Sequence, residues 1–228
     1  MDALNQTLFT LWGYKMSMLE LIGVLTGFAA VYLAYRQKSV NFLFGMLNNV
    51  VYFVLFFQFR LYSVMLLQII YFIFSLYGFY HWRHPQKEES DKNKEQRIRV
   101  LQWKNRLIYI GFILVAGLLW GLAVIKLQGK FPEYFDPPAF PLLDAVLTMG
   151  SVTGQWMLSR KIWDNWSFWV IIDLISCLLY AYMGMFFTSV LYAVYTLIAL
   201  RAVSEWMKTF KSYGLVEKNG PDIAGHQI

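Results

Sequence analysis

Residues 41–49 of this 228-residue chain read NFLFGMLNN, and residues 165–173, which lie 124 positions later, read NWSFWVIID. The same offset relates the whole of residues 20–82 to residues 144–206 without a gap. Polar and aromatic positions agree between the two copies, as in Glu20 with Asp144, Arg36 with Arg160, Asn41 with Asn165, Asn49 with Asp173, Tyr71 with Tyr195 and Trp82 with Trp206. Chance similarity between apolar segments would match leucine and valine instead, so the sequence indicates an internal duplication.

The composition predicts an integral membrane protein. Hydrophobic residues make up 58% of the chain and aromatic residues 19%, and the mean hydropathy is +0.44. A helix needs about 20 apolar residues to cross roughly 30 Å of hydrocarbon. Seven segments approach that length, near 20–36, 41–58, 62–80, 107–125, 142–159, 166–183 and 187–204. Residues 1–19 lack the basic start of a signal peptide and are expected to stay attached as an interfacial lead-in.

The predicted fold is all-α, with seven transmembrane helices in a three-one-three arrangement. Three spans reverse the direction of the chain, and the fourth span, which is absent from the duplication, restores it. The two repeats would then be parallel and related by a pseudo-two-fold axis along the membrane normal, a plan known from transporters. The predicted segments are a lead-in at 1–19, a first repeat at 20–82, a cytoplasmic linker at 83–106, a linker helix at 107–125, a second repeat at 142–206 and a cytoplasmic tail at 207–228.

The basic residues predict the orientation. Of the 20 Lys and Arg residues, all but Lys15, Arg60, Lys126 and Lys130 fall on one side of the predicted spans. Basic residues are retained in the cytoplasm, which places the N-terminus outside and the C-terminus inside a bacterial inner membrane. The net charge of +6 then reflects topology rather than nucleic-acid binding. The run at 83–106 also contains acidic residues and is expected to be a solvated linker at the lipid surface.

The sequence carries no motif of a common enzyme class or metal site. The single cysteine, Cys177, has no internal disulfide partner and is expected to be a packing residue. His81 and His84 stand at helical spacing, but the third histidine is far away in the tail. HExxH, GxSxG and Walker sequences are missing. We therefore expect no enzyme activity, no metal and no cofactor.

Polar residues inside the predicted spans recur at helical spacing, and they are costly there unless they face a cavity or each other. In the fifth span they keep to one helical face. The set comprises Asn41, Asn48, Asn49 and Tyr52, then Gln68, Tyr71 and Ser75, then Asp144, Thr148, Ser151 and Gln155, then Asn165, Trp169, Asp173, Ser176 and Tyr180, and finally Thr188, Tyr192 and Tyr195. The pattern predicts a central water-accessible pathway, although a single Ser or Thr often bonds only to a neighbouring helix.

Asp173 is the most expensive of these residues, because a carboxylate near the bilayer centre costs about 2.5–3.5 kcal/mol on insertion scales. A cationic ligand, a proton or a hydrogen-bonded network with Asn49, Tyr52 and Gln155 would have to compensate for it. Trp169 lies one turn earlier on the same face, and tryptophan offers the best ring for stacking on planar cations. The neighbouring Trp156 is expected to meet lipid or another helix, and Trp163 and Trp166 to lie in the interfacial belt. The ligand that fits these residues is flat, cationic and hydroxyl-bearing.

The segments that carry these residues resemble the Pnu family of vitamin transporters, of which PnuC is the best-known type. The resemblance rests on NWSFWVIID at 165–173, NFLFG at 41–45, and the LY and LQ pairs at 61, 67, 179 and 191. It covers roughly residues 20–206. It implies a SWEET-like fold with parallel three-helix repeats, transport by facilitated diffusion, and trapping of the substrate by intracellular phosphorylation. It places Trp169, Asp173, Asn49 and Gln68 in the substrate site.

The resulting hypothesis is a uniporter for nicotinamide riboside. Trp169 would stack on the pyridinium, Asp173 would favour its charge, and Asn49, Gln68 and Gln155 would bind the hydroxyls or the carboxamide. Asn48, Tyr52, Tyr71, Tyr192 and Tyr195 complete the predicted site. Thiamine, or riboflavin within the same family, is the alternative substrate, and a membrane receptor or an embedded enzyme is the alternative class. Proton coupling stays open, and the sequence is compatible with a homo-oligomer without fixing the oligomeric state.

Overall fold

The computed structural model describes residues 7–11, 14–58, 62–85, 96–131, 140–184 and 186–218. Seven α-helices lie within these residues, and together they cover the core of every predicted span. They are α1 (Met18–Tyr35), α2 (Asn41–Gln58), α3 (Tyr62–Arg83), α4 (Trp103–Lys130), α5 (Pro141–Ser159), α6 (Asn165–Tyr182) and α7 (Phe186–Lys218).

Six of the described helices are long and apolar enough to cross a membrane by length and composition, and α5 is not among them. The fifth predicted span is therefore less apolar than a typical transmembrane helix, unlike the other six. The reason is its polar face, since α5 carries Asp144, Thr148, Ser151 and Gln155 at helical spacing within 19 residues. Such a helix is stable in a bilayer when that face is turned away from lipid.

The chain is not entirely α-helical, because the predicted lead-in contains a β-hairpin. Strand β1 (Thr7–Leu11) pairs antiparallel with β2 (Tyr14–Ser17), and β2 leads directly into α1. Strand pairing supplies hydrogen bonds that an isolated extended segment would leave to solvent. Ser17 caps α1 by accepting from the Glu20 amide at 3.2 Å, while the Glu20 carboxylate accepts from the Ser17 amide at 2.8 Å. This capping box starts α1 two residues before its predicted beginning.

The two repeats share the same backbone turn between their first and second helices. Gln37 and Lys161, which are 124 residues apart, have φ angles of 58° and 54° in the left-handed region. The side-chain amides that follow make the same bond in each copy, from Asn41 to the Lys38 carbonyl and from Asn165 to the Ile162 carbonyl. The matched asparagines therefore fix a turn, which explains why a polar residue recurs at this position.

Six helices form a closed ring. The helices that pack against each other are α1–α2, α2–α3, α3–α5, α5–α6, α6–α7 and α7–α1. Helix α4 lies outside the ring and packs on α5. Gly117 and Gly121 make this approach close, since a Cβ atom at either position would lie 2.9 Å or less from Val146 or Leu142. Small residues four apart are a common way for membrane helices to meet. Large apolar side chains cover the remaining faces of α4 and are exposed there.

Both repeats meet at one end of the ring in a cluster that we call the tryptophan end, formed by Trp82, Trp166 and Trp206. Trp82 of α3 donates from Nε1 to the Leu158 carbonyl of α5 at 3.1 Å. Trp206 of α7 donates from Nε1 to the Tyr35 carbonyl of α1, also at 3.1 Å. Each bond thus joins the third helix of one repeat to the first helix of the other. The two bonds close the ring in a nearly symmetric way.

The tryptophan end differs from the prediction in three respects. Trp166 was expected in the interfacial belt, but it is 2% exposed and packs against Trp206 at 5.6 Å between ring centroids. Helix α7 continues to Lys218, through most of the predicted tail, because Trp206 and Thr209 contact α1 and its following turn. Residues 96–101 of the predicted solvated linker also dock here.

The docked part of the linker is held by backbone pairing. The Arg99 amide donates to the Lys161 carbonyl at 3.0 Å, and the Trp163 amide donates to the Arg99 carbonyl at 2.8 Å. Ile98 is 2% exposed within the aromatic cluster. Asp164 accepts from the Leu101 amide at 2.8 Å and pairs with Arg106 at 2.6 Å. The prediction of a solvated linker is wrong for this segment, and residues 86–95 lie outside the described part.

Candidate functional site

A cavity of about 1430 Å³ lies inside the ring and is lined by residues of α1, α2, α3, α5, α6 and α7. All ten residues predicted for the site line it, namely Asn48, Asn49, Tyr52, Gln68, Tyr71, Gln155, Trp169, Asp173, Tyr192 and Tyr195. The cavity is larger than the roughly 300–1,000 Å³ of a typical ligand site. Its size therefore fits a pathway that contains a site better than it fits a single closed pocket.

The charged residues among the described lining of the cavity are acidic. Glu20, Asp144 and Asp173 line it, whereas no Lys, Arg or His stands among its described lining residues. Glu20 and Asp144 occupy equivalent positions in the first turns of α1 and α5. This pair marks the end of the cavity opposite the tryptophan end, and we call it the acidic end. A described lining with three carboxylates and no basic residue favours a cation and disfavours an anion.

Asp173 lies deep in this cavity and is 5% exposed. Within the described part of the chain its carboxylate makes no hydrogen bond and no ion pair. The network with Asn49, Tyr52 and Gln155 is not formed among the described residues, and Gln155 donates to the Ser75 hydroxyl at 3.4 Å. A buried carboxylate without a partner is unfavourable. Its carboxylate lines a cavity of about 1430 Å³, in which water, a cationic ligand or a proton can compensate for its charge.

Trp169 lies one turn before Asp173 on α6 and lines the same cavity. The back of its indole rests on α5 at Gly154, where a Cβ atom would lie 3.2 Å from Cε2 of the ring. Trp156, the tryptophan of α5, does not line the cavity and stacks on Tyr77 of α3, with ring centroids 5.5 Å apart. Its expected helix contact is confirmed. Only one of these two tryptophans is thus placed to stack on a ligand.

Tyrosines continue the aromatic wall of the second repeat. Tyr180 of α6 and Tyr192 of α7 have ring centroids 5.2 Å apart, and Tyr192 meets Tyr195 edge-on at 6.1 Å. Tyr192 and Tyr195 line the same cavity as Asp173. Around Asp173 the wall therefore combines aromatic faces and hydroxyl groups with a carboxylate.

The first repeat contributes amides to the cavity. Asn48 of α2 is oriented by α1, since its Nδ2 donates to the Gly23 carbonyl at 2.6 Å and to the Thr26 hydroxyl at 3.2 Å. Its carbonyl oxygen has no partner among the described residues. Asn49 is 6% exposed, and it also lines the cavity. Together with Gln68 of α3, these amides supply acceptors and donors for uncharged polar groups.

Sequence reasoning missed Glu20 and Gly154. Glu20 was paired with Asp144 in the duplication, and this pairing was a signal that both acids take equivalent places around the axis of the repeats. Gly154 had no such signal, because a glycine in an apolar span shows its role only when the partner helix is known.

The sequence profile of the family described as "Nicotinamide mononucleotide transporter" matches residues 17–208. The chain belongs to this family. A nicotinamide riboside transporter PnuC of Escherichia coli (strain K12) is 30% identical over 219 residues, which cover 89% of this chain and 90% of that protein. The riboflavin/roseoflavin transporter RibM of Streptomyces davaonensis is 23% identical over 207 residues, which cover 90% and 92%.

The crystal structure of the vitamin B3 transporter PnuC has the same fold, with a TM-score of 0.63 at 20% identity, over 85% of this chain and 82% of that one. Membership of the nicotinamide mononucleotide transporter family makes the chain a membrane transporter rather than an enzyme. The resemblance to the PnuC type that the sequence suggested is confirmed. The names of the relatives leave three substrates to compare, which are a mononucleotide, a riboside and a flavin.

Proposed function

We propose that this protein carries nicotinamide riboside across the bacterial inner membrane by facilitated diffusion. One observation carries the proposal, namely that the buried Asp173 has no partner among the described residues and lies one turn from Trp169 in the cavity. Nicotinamide riboside is a planar pyridinium cation with a neutral ribose, so it supplies the missing charge and a ring that stacks on tryptophan. The PnuC relative of Escherichia coli bears the name of this substrate.

The charge of the cavity separates the riboside from the mononucleotide. A phosphate monoester carries roughly −1.5 to −2 charges at neutral pH. The described lining offers it no Lys, Arg or His and three carboxylates instead. Juxtaposed like charges cost several kcal/mol when they are desolvated. The cavity therefore accepts the riboside and excludes its phosphorylated form, and phosphorylation in the cytoplasm would trap the substrate.

The roles of the site residues follow from the two walls. Trp169 stacks on the pyridinium, and Asp173 with Tyr192 and Tyr195 surrounds its positive charge. The amides of Asn48, Asn49, Gln68 and Gln155 bind the ribose hydroxyls and the carboxamide. Tyr52 and Tyr71 complete the cavity wall of the first repeat.

The proposed architecture is SWEET-like, with two parallel three-helix repeats at 20–82 and 142–206 joined by the linker helix. The ring supports it, because the α3–α5 contact is the counterpart of the α7–α1 contact when the repeats are exchanged. With the N-terminus outside, the acidic end faces the exterior and the tryptophan end faces the cytoplasm. Alternating access then requires the two crossed tryptophan hydrogen bonds to separate.

Thiamine is the alternative substrate on the same chemistry, because it is also a cationic aromatic compound. Riboflavin is the alternative favoured by a relative, since RibM carries flavins by name. Riboflavin is neutral and would leave the Asp173 charge without compensation. The charge of the ligand is therefore the property that separates the candidates.

Calorimetric binding and uptake into liposomes test the proposal, with nicotinamide riboside, its mononucleotide, thiamine and riboflavin as ligands. We expect the riboside to bind roughly 100-fold more tightly than the mononucleotide, on the scale of a like-charge penalty. Trp169→Ala should weaken binding, whereas Trp156→Phe, which changes a tryptophan outside the cavity, should not. Tighter binding of the mononucleotide or riboflavin than of the riboside would overturn the proposed substrate.

A further inference from the structure

Gly154 is buried in α5 behind the indole of Trp169 and does not itself line the cavity. A Cβ atom at this position would lie 3.2 Å from Cε2 of Trp169 and 3.4 Å from both Cζ2 and Nε1. Carbon atoms in favourable contact are about 3.5–4.0 Å apart. Any side chain at residue 154 would therefore push the indole by a few tenths of an ångström towards the cavity.

We propose that Gly154 is a positioning residue for the substrate, because it sets the depth at which the Trp169 indole stands in the cavity wall. This inference rests on the proposed function, in which Trp169 stacks on the pyridinium of nicotinamide riboside. Gly154 acts only through Trp169 and makes no contact with the substrate.

The repeat supports a specific pairing of the glycine with the tryptophan. The offset of 124 residues relates Gly154 to Ala30 and Trp169 to Gly45. The first repeat thus has a methyl group on its first helix where the second repeat has none. It also lacks the large ring on its second helix. If the helix packing alone required glycine at this position, the first repeat would need it as well.

Both counterparts in the first repeat line the cavity, whereas in the second repeat only the tryptophan does. The indole therefore covers the part of α5 that the first repeat leaves open on α1. Because a stacking contact depends steeply on the distance and tilt of the rings, a displaced indole loses part of its attraction to a bound cation. The stacking geometry is then determined by two residues rather than by Trp169 alone.

A double-mutant cycle tests the inference with four proteins, which are the parent, Gly154→Ala, Trp169→Phe and the double variant. Phenylalanine lacks the indole nitrogen and the fused ring that approach Gly154. We expect Gly154→Ala to weaken riboside binding roughly fivefold, on the scale of part of a cation–π contact. In the Trp169→Phe background the same change should have an effect below about twofold, because its target is gone.

Gly150→Ala is the matched control, since Gly150 lies one turn earlier on the same helix and its Cβ would lie 3.1 Å from Ile172 of the same partner helix. We expect it to change riboside affinity less than Gly154→Ala. An equal loss in the control, or an equal loss from Gly154→Ala with and without the indole, would overturn the inference. In either case Gly154 would be an ordinary packing residue.

Thermal unfolding of the same four proteins covers the case of a folding defect. Recovery of folded Gly154→Ala only in the Trp169→Phe background would show that the indole is what the methyl group meets. Misfolding in both backgrounds would contradict the inference. If the parent does not bind nicotinamide riboside, the proposed function fails. The non-additivity of Gly154→Ala and Trp169→Phe in the unfolding data then still reports on the contact between residue 154 and the indole.

Discussion

The two repeats present different chemistry to the cavity at equivalent positions. The pairs are Trp169 with Gly45, Asp173 with Asn49 and Tyr192 with Gln68. At these three positions the second repeat supplies a carboxylate and two large aromatic rings, whereas the first supplies two amides and a glycine. In the proposed site, a ligand with a cationic ring at one end and hydroxyl groups at the other is therefore expected to bind in one direction. The frame of the repeats is symmetric, but the proposed site is directional.

The frame, by which we mean the backbone turns and the contacts between the repeats, is the same in both repeats. The left-handed residues, the asparagine-closed turns and the crossed tryptophan bonds recur at or within one residue of the 124-residue offset. These features determine how the backbone turns and how the repeats meet. Several residues of the cavity wall, such as Gly45 and Trp169, have no such role, and they differ between the repeats. Substitutions in the cavity wall and in the frame test this distinction.

The largest expected effect comes from removing the charge that only the second repeat has. Asp173→Asn makes the two repeats alike at this position while keeping the size of the side chain. We expect riboside affinity to fall roughly 30-fold, within the range of an interaction with a charged group. Calorimetry measures the loss, and Trp156→Phe, which changes a residue outside the cavity, serves as the control. Unchanged affinity in Asp173→Asn would remove the carboxylate from the proposed site.

The next largest effect comes from the aromatic side chain that the first repeat lacks. Trp169→Ala gives the second repeat a small residue, as at Gly45. We expect riboside affinity to fall roughly tenfold, as for the loss of a desolvated cation–π contact. The same titration with riboflavin, which has rings but no positive charge, should show a smaller loss. Equal losses for both ligands would indicate that Trp169 contributes shape rather than cation recognition.

The shared frame gives a third prediction, in which the two repeats should respond equally. Trp82→Phe and Trp206→Phe each remove one crossed hydrogen bond while keeping an aromatic ring. We expect each to lower the free energy of unfolding by about 1 kcal/mol from the lost bond, with a further similar loss from the smaller ring. Thermal unfolding in the same detergent or lipid gives the comparison. A large difference between the two variants would mean that the two bonds are not equivalent.

The smallest effect is expected at the amides of the first repeat. Asn49→Ala should weaken riboside binding only about threefold to tenfold, because a neutral hydrogen bond contributes roughly 0.5–1.5 kcal/mol. The loss should disappear with a nicotinamide cation that lacks the ribose, if Asn49 binds the hydroxyl groups. Persistence of the full loss with that smaller ligand would place Asn49 at the carboxamide instead.

Sequence reasoning was sufficient for the helices and for most polar residues of the cavity wall, but not for Glu20. Helical spacing brought polar residues of each span to one face, and a bilayer leaves such a face few places except the interior of the ring. The same reasoning was incomplete for Asp173, whose lack of a described partner depends on where Gln155 points. A spacing rule gives the face of a side chain but not the atom that it reaches.

The features that were mispredicted all depend on contacts between distant segments. The docking of Ile98, the burial of Trp166 and the length of α7 are determined by the packing at the tryptophan end. The charged run around residue 98 suggested solvent, because composition averages over a segment in which one apolar residue provides the anchor. The β-hairpin was missed for a related reason, since its strands are short and stabilise each other by pairing.

The crossed tryptophan bonds give the contact between the repeats the form of an isologous interface, in which one patch meets its own copy as in a two-fold homodimer. A true homodimer of three-helix subunits would carry every substitution twice, once on each side of its axis. It could not place an indole on one wall without placing a second indole opposite to it. Fusion of the two copies into one chain through α4 removes that constraint. A single polypeptide can therefore keep the contact surfaces of a symmetric dimer while its cavity presents different side chains to the two ends of a ligand.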